Sequence, residues 1–201
     1  DNYTLISSAS NEIAPDGTDV GDTCGNVPIT TGHEAWRALL GDTFVHTSTV
    51  LVTRSATQQI GGFDTGLKIG EDQDAWIKLA LLGRVGYVYE SLARIHVRSG
   101  SLSRTDSSQE LIYTLPMIRR HLARLDGRLS QREKDLIMAR RMARLGRAMC
   151  GEGDYRRGSG LILSSLRHGY DPWPSLVCLF WASPPARSLK GWMKESIGRN
   201  V

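Results

Sequence analysis

The sequence has few cysteines and lacks a long apolar run. Its three cysteines, Cys24, Cys150 and Cys178, stand far apart and lack the spacing of metal ligands. Their odd number argues against a disulfide framework and suits a reducing compartment. The longest apolar run near the end of the chain, Leu176 to Ala182, is far shorter than the ~20 residues that a membrane-spanning helix needs.

A signal peptide and an initiator methionine are also missing. The sequence that begins at Asp1 has the pattern expected in the middle of a domain, so we expect the chain to be a fragment. Its 201 residues can bury one good core together with a helical appendage. The net charge is +4, and arginine is concentrated between residues 119 and 157. This asymmetry predicts an anionic neighbour, such as lipid headgroups, nucleic acid or a phosphorylated substrate.

The first half of the chain alternates strand-like and helix-like segments, which is typical of an α/β fold. Runs rich in Val, Thr and Ser predict strands, and apolar residues three or four positions apart predict helices. The predicted strands span 3–13, 44–53, 84–90 and 91–97, and the predicted helices span 33–40, 54–60 and 72–82. Gly61-Gly62 ends the second of these helices, and Gly83 is a natural C-terminal glycine for the third.

After residue 101 the pattern becomes helical. Apolar residues at helical spacing predict helices at 107–125, 130–150 and 155–168. The last two of these helices resemble one helical-hairpin unit. We therefore place a boundary near Arg104, with an α/β region at 1–104 and a helical region at 105–201.

The most informative segment is the glycine-rich stretch from Gly61 to Trp76. It delivers Glu71, Asp72 and Asp74 to the start of a helix. Backbone N–H groups that are exposed at a helix start favour an ionised carboxylate. Because an ionised carboxylate can accept a proton or bind a cation, this segment predicts a functional site.

From the spacing alone, two interpretations of this cluster are open. Asp72 and Trp76 lie one turn apart on one face of the predicted helix, while Asp74 and Lys78 pair on another face. In the functional interpretation, Asp72 is a general base and Trp76 is an aromatic wall beside it. In the structural interpretation, Asp72 caps the helix, Trp76 is core, and the Asp74–Lys78 pair is solvated and worth roughly a few tenths of a kcal/mol.

Residues 47–104 resemble the second half of the catalytic domain of family 2 glycosyltransferases. The shared features occur in order: a strand that ends in an arginine, a helical turn into Gly-Gly-Phe-Asp, and Gly-Glu-Asp with an aspartate and a tryptophan just beyond. A glycine-bounded helix, a Tyr-Val strand, a Leu-Ala strand and a basic, serine-rich turn complete the series. The resemblance implies the C-terminal half of a GT-A type mixed sheet with flanking helices, followed by an α-helical tail.

The same resemblance implies an inverting enzyme that moves a sugar from a nucleotide-diphosphate donor to a hydroxyl group of a glycan or lipid-linked acceptor. This reaction needs a carboxylate that accepts the hydroxyl proton. It also needs positive charge at the diphosphate, usually a divalent metal ion such as Mg²⁺ or Mn²⁺. By resemblance, Asp72 is the base and Glu71 orients the acceptor or tunes Asp72. Asp74 and Trp76 are predicted to bind substrate, with Trp76 on the acceptor side.

The resemblance also assigns residues to the donor side. Gly61 and Gly62 would let the backbone pass close to the donor sugar. Arg98 would bind the diphosphate, because its guanidinium group is a fixed fork of hydrogen-bond donors. His96 is a candidate metal ligand. Family members often carry the arginine before the histidine at these two positions, whereas here His96 comes first.

One part of the family pattern is absent from these residues. The nucleotide-binding half and its Asp-x-Asp metal motif have no counterpart, because neither Asp19 to Asp22 nor Asp72 to Asp74 matches that motif. We therefore expect the nucleotide-binding half to precede Asp1. We also expect these 201 residues alone to bind nucleotide-sugar poorly and to be inactive.

The basic tail has alternative interpretations. Trp173, Trp181 and Trp192 lie near arginines and lysines, so the tail suits a segment at the membrane surface or a lid packed on the main domain. Nucleic-acid binding is disfavoured, because no recognised motif occurs and aromatic residues are not interleaved with the arginines. The runner-up function is a non-catalytic helical interaction module on a degenerate transferase domain. The expected location is cytoplasmic, at the inner face of the cell membrane.

Overall fold

The computed structural model of the chain describes residues 2–22, 29–98 and 107–168. These residues form two compact units, one with residues 2–22, 29–98 and 109–126 and the other with residues 107–108 and 127–168. The predicted boundary near Arg104 lies outside the described residues. The first helix after it belongs to the first unit, although the sequence placed it in the helical region. The predicted tail, with Trp173, Trp181 and Trp192, also lies outside the described residues.

A mixed four-stranded sheet forms the centre of the first unit. Strand β1, Tyr3–Ile13, pairs antiparallel with β2, Asp19–Asp22, and with β3, Leu51–Val52. Strand β4, Arg84–His96, runs parallel to β1. A parallel neighbour requires a long crossover, and the helices between residues 35 and 82 supply it. The predicted α/β class and the predicted strand at 3–13 are confirmed.

Strand β4 corrects the prediction of two short strands at 84–90 and 91–97. The pairing with β1 shifts register three times, and the last two shifts add residues to β4, since Ser8 and Ala9 pair with Val88 and Ser91, and the next residue of β1 pairs with Ala93. The extra residues of β4 are accommodated as bulges, which bend a strand without ending it. One continuous strand therefore runs through the segment that the sequence divided.

The predicted buried strand at 44–53 is also wrong for most of its length. Phe44 and Val45 are buried, but the chain then makes a short 3₁₀ turn at Thr47–Thr49. The backbone N–H and the hydroxyl group of Thr49 both donate to the carbonyl oxygen of His46, at 2.9 and 3.0 Å. Threonine hydroxyls compete in this way with strand pairing. Only the two residues of β3 remain extended and paired, and both are exposed.

The helices of the first unit follow the predicted pattern closely. They are α1 at Ala35–Gly41, α2 at Arg54–Gln59, α3 at Glu71–Leu82 and α4 at Leu115–Arg124, with a π-helical turn at Glu110–Thr114 before α4. The core of this unit includes buried side chains of α1 and α3, such as Trp36, Leu39 and Ile77. The side chain of Gln73 donates to the carbonyl oxygen of Leu39 at 2.7 Å, so a polar contact joins α3 to α1 inside the core.

The predicted end of α3 at Gly83 is correct, but the reason for the glycine differs. Its φ is −164°, which is extended backbone rather than the left-handed conformation of a typical C-terminal glycine. A Cβ atom at Gly83 would lie 2.6 Å from Thr4 Cγ2 and 2.7 Å from the carbonyl oxygen of Asn2. The hydroxyl group of Thr4 donates to the carbonyl oxygen of Leu79 at 2.8 Å. Glycine is therefore needed because the end of α3 approaches β1 closely.

The second unit is a helical hairpin, as the sequence predicted. Helix α5, Gln131–Glu152, begins with a capping box between Ser130 and Glu133, and α6, Tyr155–Arg167, follows a turn at Gly153. A Cβ atom at Gly158 of α6 would lie 2.6 Å from the carbonyl oxygen of Gly146 in α5. The two helices are therefore in backbone contact.

Candidate functional site

The predicted glycine-rich loop connects α2 to α3 through left-handed backbone. Gly61, Gly62 and Gly70 have φ of 79°, 73° and 79°, which L-residues with a Cβ atom rarely adopt. The N–H of Gly62 donates to the carbonyl oxygen of Thr57 at 3.0 Å, and Gly70 stands at the N-cap of α3. Both Gly61 and Gly62 thus have a local reason to be glycine. The approach of a donor sugar to them stays a prediction.

Asp72 lies in the first turn of α3 with its side chain only partly covered. One carboxylate oxygen accepts a hydrogen bond from the hydroxyl group of Thr47 at 3.1 Å, and the other accepts from the backbone N–H of Gln73 at 2.6 Å. Glu71, its neighbour, is also partly exposed. The Asp72 carboxylate is therefore oriented by two donors and remains accessible to solvent, as a general base must be.

Asp74 differs from the prediction, because its carboxylate lies inside the protein. The residue is 3% exposed, and one carboxylate oxygen is 2.7 Å from Nε2 of His121 in α4. The other oxygen is 2.6 Å from Nζ of Lys78, so the pair predicted to be solvated is largely buried. Burial raises the pKa of Asp74, but the hydrogen bonds from His121 and Lys78 outweigh it and hold this pKa below 3.8. Asp74 therefore has protein partners where the sequence predicted a substrate contact.

Trp76 is core, which decides between the two interpretations of this residue. Only 2% of it is exposed, so its ring cannot be the aromatic wall that the resemblance implied. Phe63 of the Gly-Gly-Phe-Asp loop packs against it, with ring centroids 5.9 Å apart and an interplanar angle of 79°. Phe63 is itself 50% exposed. The accessible aromatic group beside α3 is therefore Phe63, and its place in an exposed loop is the signal that sequence reasoning missed.

His46 is a second residue that sequence reasoning missed. It directly precedes the Thr47–Thr49 turn, in a segment that read as a buried strand. Burial lowers the pKa of His46 below 6.5, and the negative charges of Asp22 and Asp72 oppose this shift without cancelling it. A neutral imidazole at pH 7 therefore lies within the electrostatic influence of Asp72.

His96 and Arg98 lie at the far end of β4, and both are exposed. His96 is paired with Ile13 of β1, six residues beyond Ser7. The hydroxyl groups of Ser7 and Thr49 share a hydrogen bond of 2.8 Å, which fixes the Thr47–Thr49 turn at that level of β1. Six residues of strand extend about 20 Å, so His96 lies well along the sheet from the turn that contacts Asp72. The roles of His96 and Arg98 as metal and diphosphate ligands stay predictions.

Helix α4 and the preceding π-helical turn contact the candidate site at three positions. Arg120 lies 3.5 Å from the carboxylate of Asp64 in the loop, and His121 contacts Asp74 in α3. A Cβ atom at Gly70 would lie 2.9 Å from the hydroxyl oxygen of Thr114. The first turn of α3, which carries Asp72, is thus braced by a segment that follows it by about forty residues along the chain.

The described residues do not form a metal centre by themselves. Residues 2–22, 29–98 and 107–168 contain no group of three His, Cys, Asp or Glu side chains that could hold a metal ion. Among the helices in these same ranges, none has both the length and the apolar character needed to cross a bilayer. Neither protein-family models nor curated proteins give a match to this chain.

Proposed function

We propose that this chain is the acceptor-side half of an inverting, family 2 glycosyltransferase with a GT-A fold. It would move a sugar from a nucleotide-diphosphate donor to a hydroxyl group of a glycan or lipid-linked acceptor at the cytoplasmic face of the membrane. The observation that carries the proposal is the environment of Asp72. Its carboxylate is only partly covered and is oriented by Thr47 and by the first turn of α3, and the exposed ring of Phe63 packs on Trp76, one turn further along the same helix.

The proposed reaction is a single displacement. The acceptor oxygen forms a bond to the anomeric carbon, the bond from that carbon to the diphosphate oxygen breaks, and the acceptor proton passes to Asp72. The hydrogen bonds from Thr47 and from the backbone of Gln73 hold the carboxylate in one orientation, so little reorganisation is needed when the proton arrives. Glu71 lies next to Asp72 in the sequence and can orient the same acceptor.

A divalent metal ion would stabilise the leaving diphosphate in such an enzyme. The described residues do not fit a complete metal site, because no group of three suitable side chains converges there. We therefore derive no step through a metal ion. Within the proposal, His96 and Arg98 belong to the donor side, at the end of β4.

Substitution of Asp72 by asparagine in the intact protein tests the proposal. Asp72→Asn keeps the shape of the side chain and removes the base, so we expect sugar transfer to fall by roughly 10²–10⁴-fold. Transfer is measured as release of nucleoside diphosphate from UDP-, GDP- and dTDP-sugars, with a membrane extract as the source of acceptor. Asp135→Asn in α5 is the matched control. Unchanged turnover in Asp72→Asn would favour the runner-up, a non-catalytic interaction module.

Thr47 offers a finer test of the same role. Thr47→Val removes the hydroxyl donor and should reduce turnover, because the carboxylate loses one of the two groups that orient it. Thr47→Ser retains a hydroxyl group and should restore most of the activity. Equal turnover in Thr47→Val and wild type would show that this hydrogen bond has no part in the reaction.

A further inference from the structure

We propose that the acceptor is a pyranose sugar whose ring rests on Phe63, so that Phe63 determines which acceptors are used. This inference rests on the proposed function, because it concerns the acceptor side of the same site. Phe63 is the exposed aromatic residue of the glycine-rich loop at residues 61–70. Single exposed apolar residues are common on protein surfaces, and what distinguishes Phe63 is its packing on Trp76, one turn from Asp72 on α3.

The Phe63 ring is held in position by a buried residue, Trp76. Its edge-to-face contact with Trp76 positions the ring, and Trp76 is anchored in the core of the first unit. This contact covers one side of Phe63 and leaves half of the residue in solvent. Phe63 therefore forms a platform, by which we mean an exposed ring that is supported by the buried ring of Trp76.

The loop around Phe63 is held by polar contacts. A carboxylate oxygen of Asp64 accepts a hydrogen bond from the N–H of Gly66 at 2.9 Å, and the carbonyl oxygen of Asp64 accepts from the N–H of Leu67 at 3.1 Å. The other carboxylate oxygen faces Arg120 of α4 at 3.5 Å. These contacts keep Phe63 in place without a ligand, so the ordering cost on binding is small.

The platform lies beside the proposed base. Trp76 and Asp72 are four residues apart on α3, hence one turn, about 5.4 Å along the helix axis, on the same face. Helical side chains lean towards the N-terminus, so we expect the Trp76 ring to lie towards the turn that holds Asp72. A ligand that rests on Phe63 can therefore present a polar edge to Asp72.

The aromatic ring of Phe63 and the carboxylate of Asp72 together match the chemistry of a pyranose. A pyranose has an apolar face of C–H bonds, which suits an aromatic ring, and an edge of hydroxyl groups. One hydroxyl can donate to the carboxylate of Asp72 and a second can bond to Thr47 or Glu71, which are both at least partly exposed. A purely hydrocarbon ligand would desolvate this carboxylate without pairing it, which is costly. The site thus matches a ring with one apolar face and several hydroxyls.

Binding of simple sugars to the intact protein tests the inference without a transfer reaction. Saturation-transfer NMR with methyl glucoside, methyl galactoside and methyl mannoside identifies the pyranoside that binds best. Phe63→Leu keeps an apolar cover over Trp76 but removes the ring, and we expect roughly five- to tenfold weaker binding of that pyranoside. Phe63→Tyr keeps the ring and should bind within about twofold of wild type. Tyr89→Leu, at an aromatic residue of β4 that is 73% exposed, is the matched control and should have no effect.

Folding is checked for each variant by circular dichroism, and Phe63→Met replaces Phe63→Leu if the latter does not fold. Pyranoside binding that depends on Phe63, in a protein that transfers no sugar, supports Phe63 as a pyranose-binding residue but rejects the proposed function and with it the role of the pyranose as acceptor. Transfer whose acceptor KM is unchanged in Phe63→Leu rejects this inference and leaves the proposed function standing. Failure of all three pyranosides to bind wild-type protein also overturns the inference.

Discussion

Helix α3 combines apolar packing with several polar contacts to its neighbours, whereas the α5–α6 hairpin combines apolar packing with a close approach of two glycines. Around α3, Gln73 bonds to the backbone of α1, Asp74 to His121 of α4, and Thr4 to the carbonyl oxygen of Leu79. Between α5 and α6, the backbones of Gly146 and Gly158 approach closely, and Ile162 and Cys150 pack beside them. Hydrogen bonds specify direction, while close packing specifies mainly distance. Within the proposed function, the first kind of restraint would aim the Asp72 carboxylate.

The largest loss of stability that tests this comparison is expected from a substitution of Asp74. Asp74→Asn leaves the Lys78 ammonium without its counter-charge and His121 without its carboxylate partner in a buried setting, so we expect the first unit to lose about 3 kcal/mol of unfolding free energy. Asp64→Asn removes the more exposed pair with Arg120 and should cost at most about 0.5 kcal/mol. Urea denaturation of both variants measures the difference. Equal costs would show that the buried pair is no stronger a restraint than the surface one.

The hairpin should respond instead to added volume. Gly158→Ala forces a methyl group within 2.5 Å of Cys150 Sγ and 2.6 Å of the carbonyl oxygen of Gly146, so we expect a loss of about 2 kcal/mol. Gly160→Ala, two residues further along α6, meets open space and should instead stabilise the helix by about 0.5–1 kcal/mol. Hydrogen exchange of the α5 and α6 amides measures both. The comparison fails if the two substitutions act with the same sign.

The smallest expected effect is a pH dependence at the candidate site. Because the pKa of His46 is lower in the folded protein than its ordinary value of 6.5, the unfolded chain binds more protons just below that pH. Stability from this residue is complete above pH 6.5 and is lost as the pH falls through the lowered folded pKa. His46→Gln should flatten this part of the stability curve, and His33→Gln, at an exposed position, is the control. A curve unchanged by His46→Gln would contradict the assignment.

Much of the fold could be predicted from the sequence, because the signals are local. Strand β1 and the helices α3, α5 and α6 begin and end within one or two residues of the predicted positions. The segment 44–53 was wrong, because its Val and Thr residues favour a strand by composition. The Thr49 hydroxyl instead closes a local turn, and periodicity cannot report such a bond.

The candidate site was predicted in part for a different reason. Asp72 could be found, since the glycines and acids before α3 form a contiguous signal. The burial of Asp74 depends on His121, which lies 47 residues further along the chain. The sequence predicted that Trp76 would be the exposed aromatic residue at the site, whereas the structure exposes Phe63 and buries Trp76. The sequence pattern does not show which of the two rings faces the core. Contacts of this range require the tertiary structure.

The parallel pairing of β1 with β4 has a consequence for biosynthesis. Tyr3 is paired with Arg84, so the central strand waits for a partner that is translated roughly 80 residues later. Among the described residues, β1 can pair only with the short strands β2 and β3 until that partner emerges from the ribosome. We therefore expect the sheet to form late and in one step. We also expect chaperones to recognise a ribosome-bound chain that ends before β4, because its β1 still lacks the parallel partner.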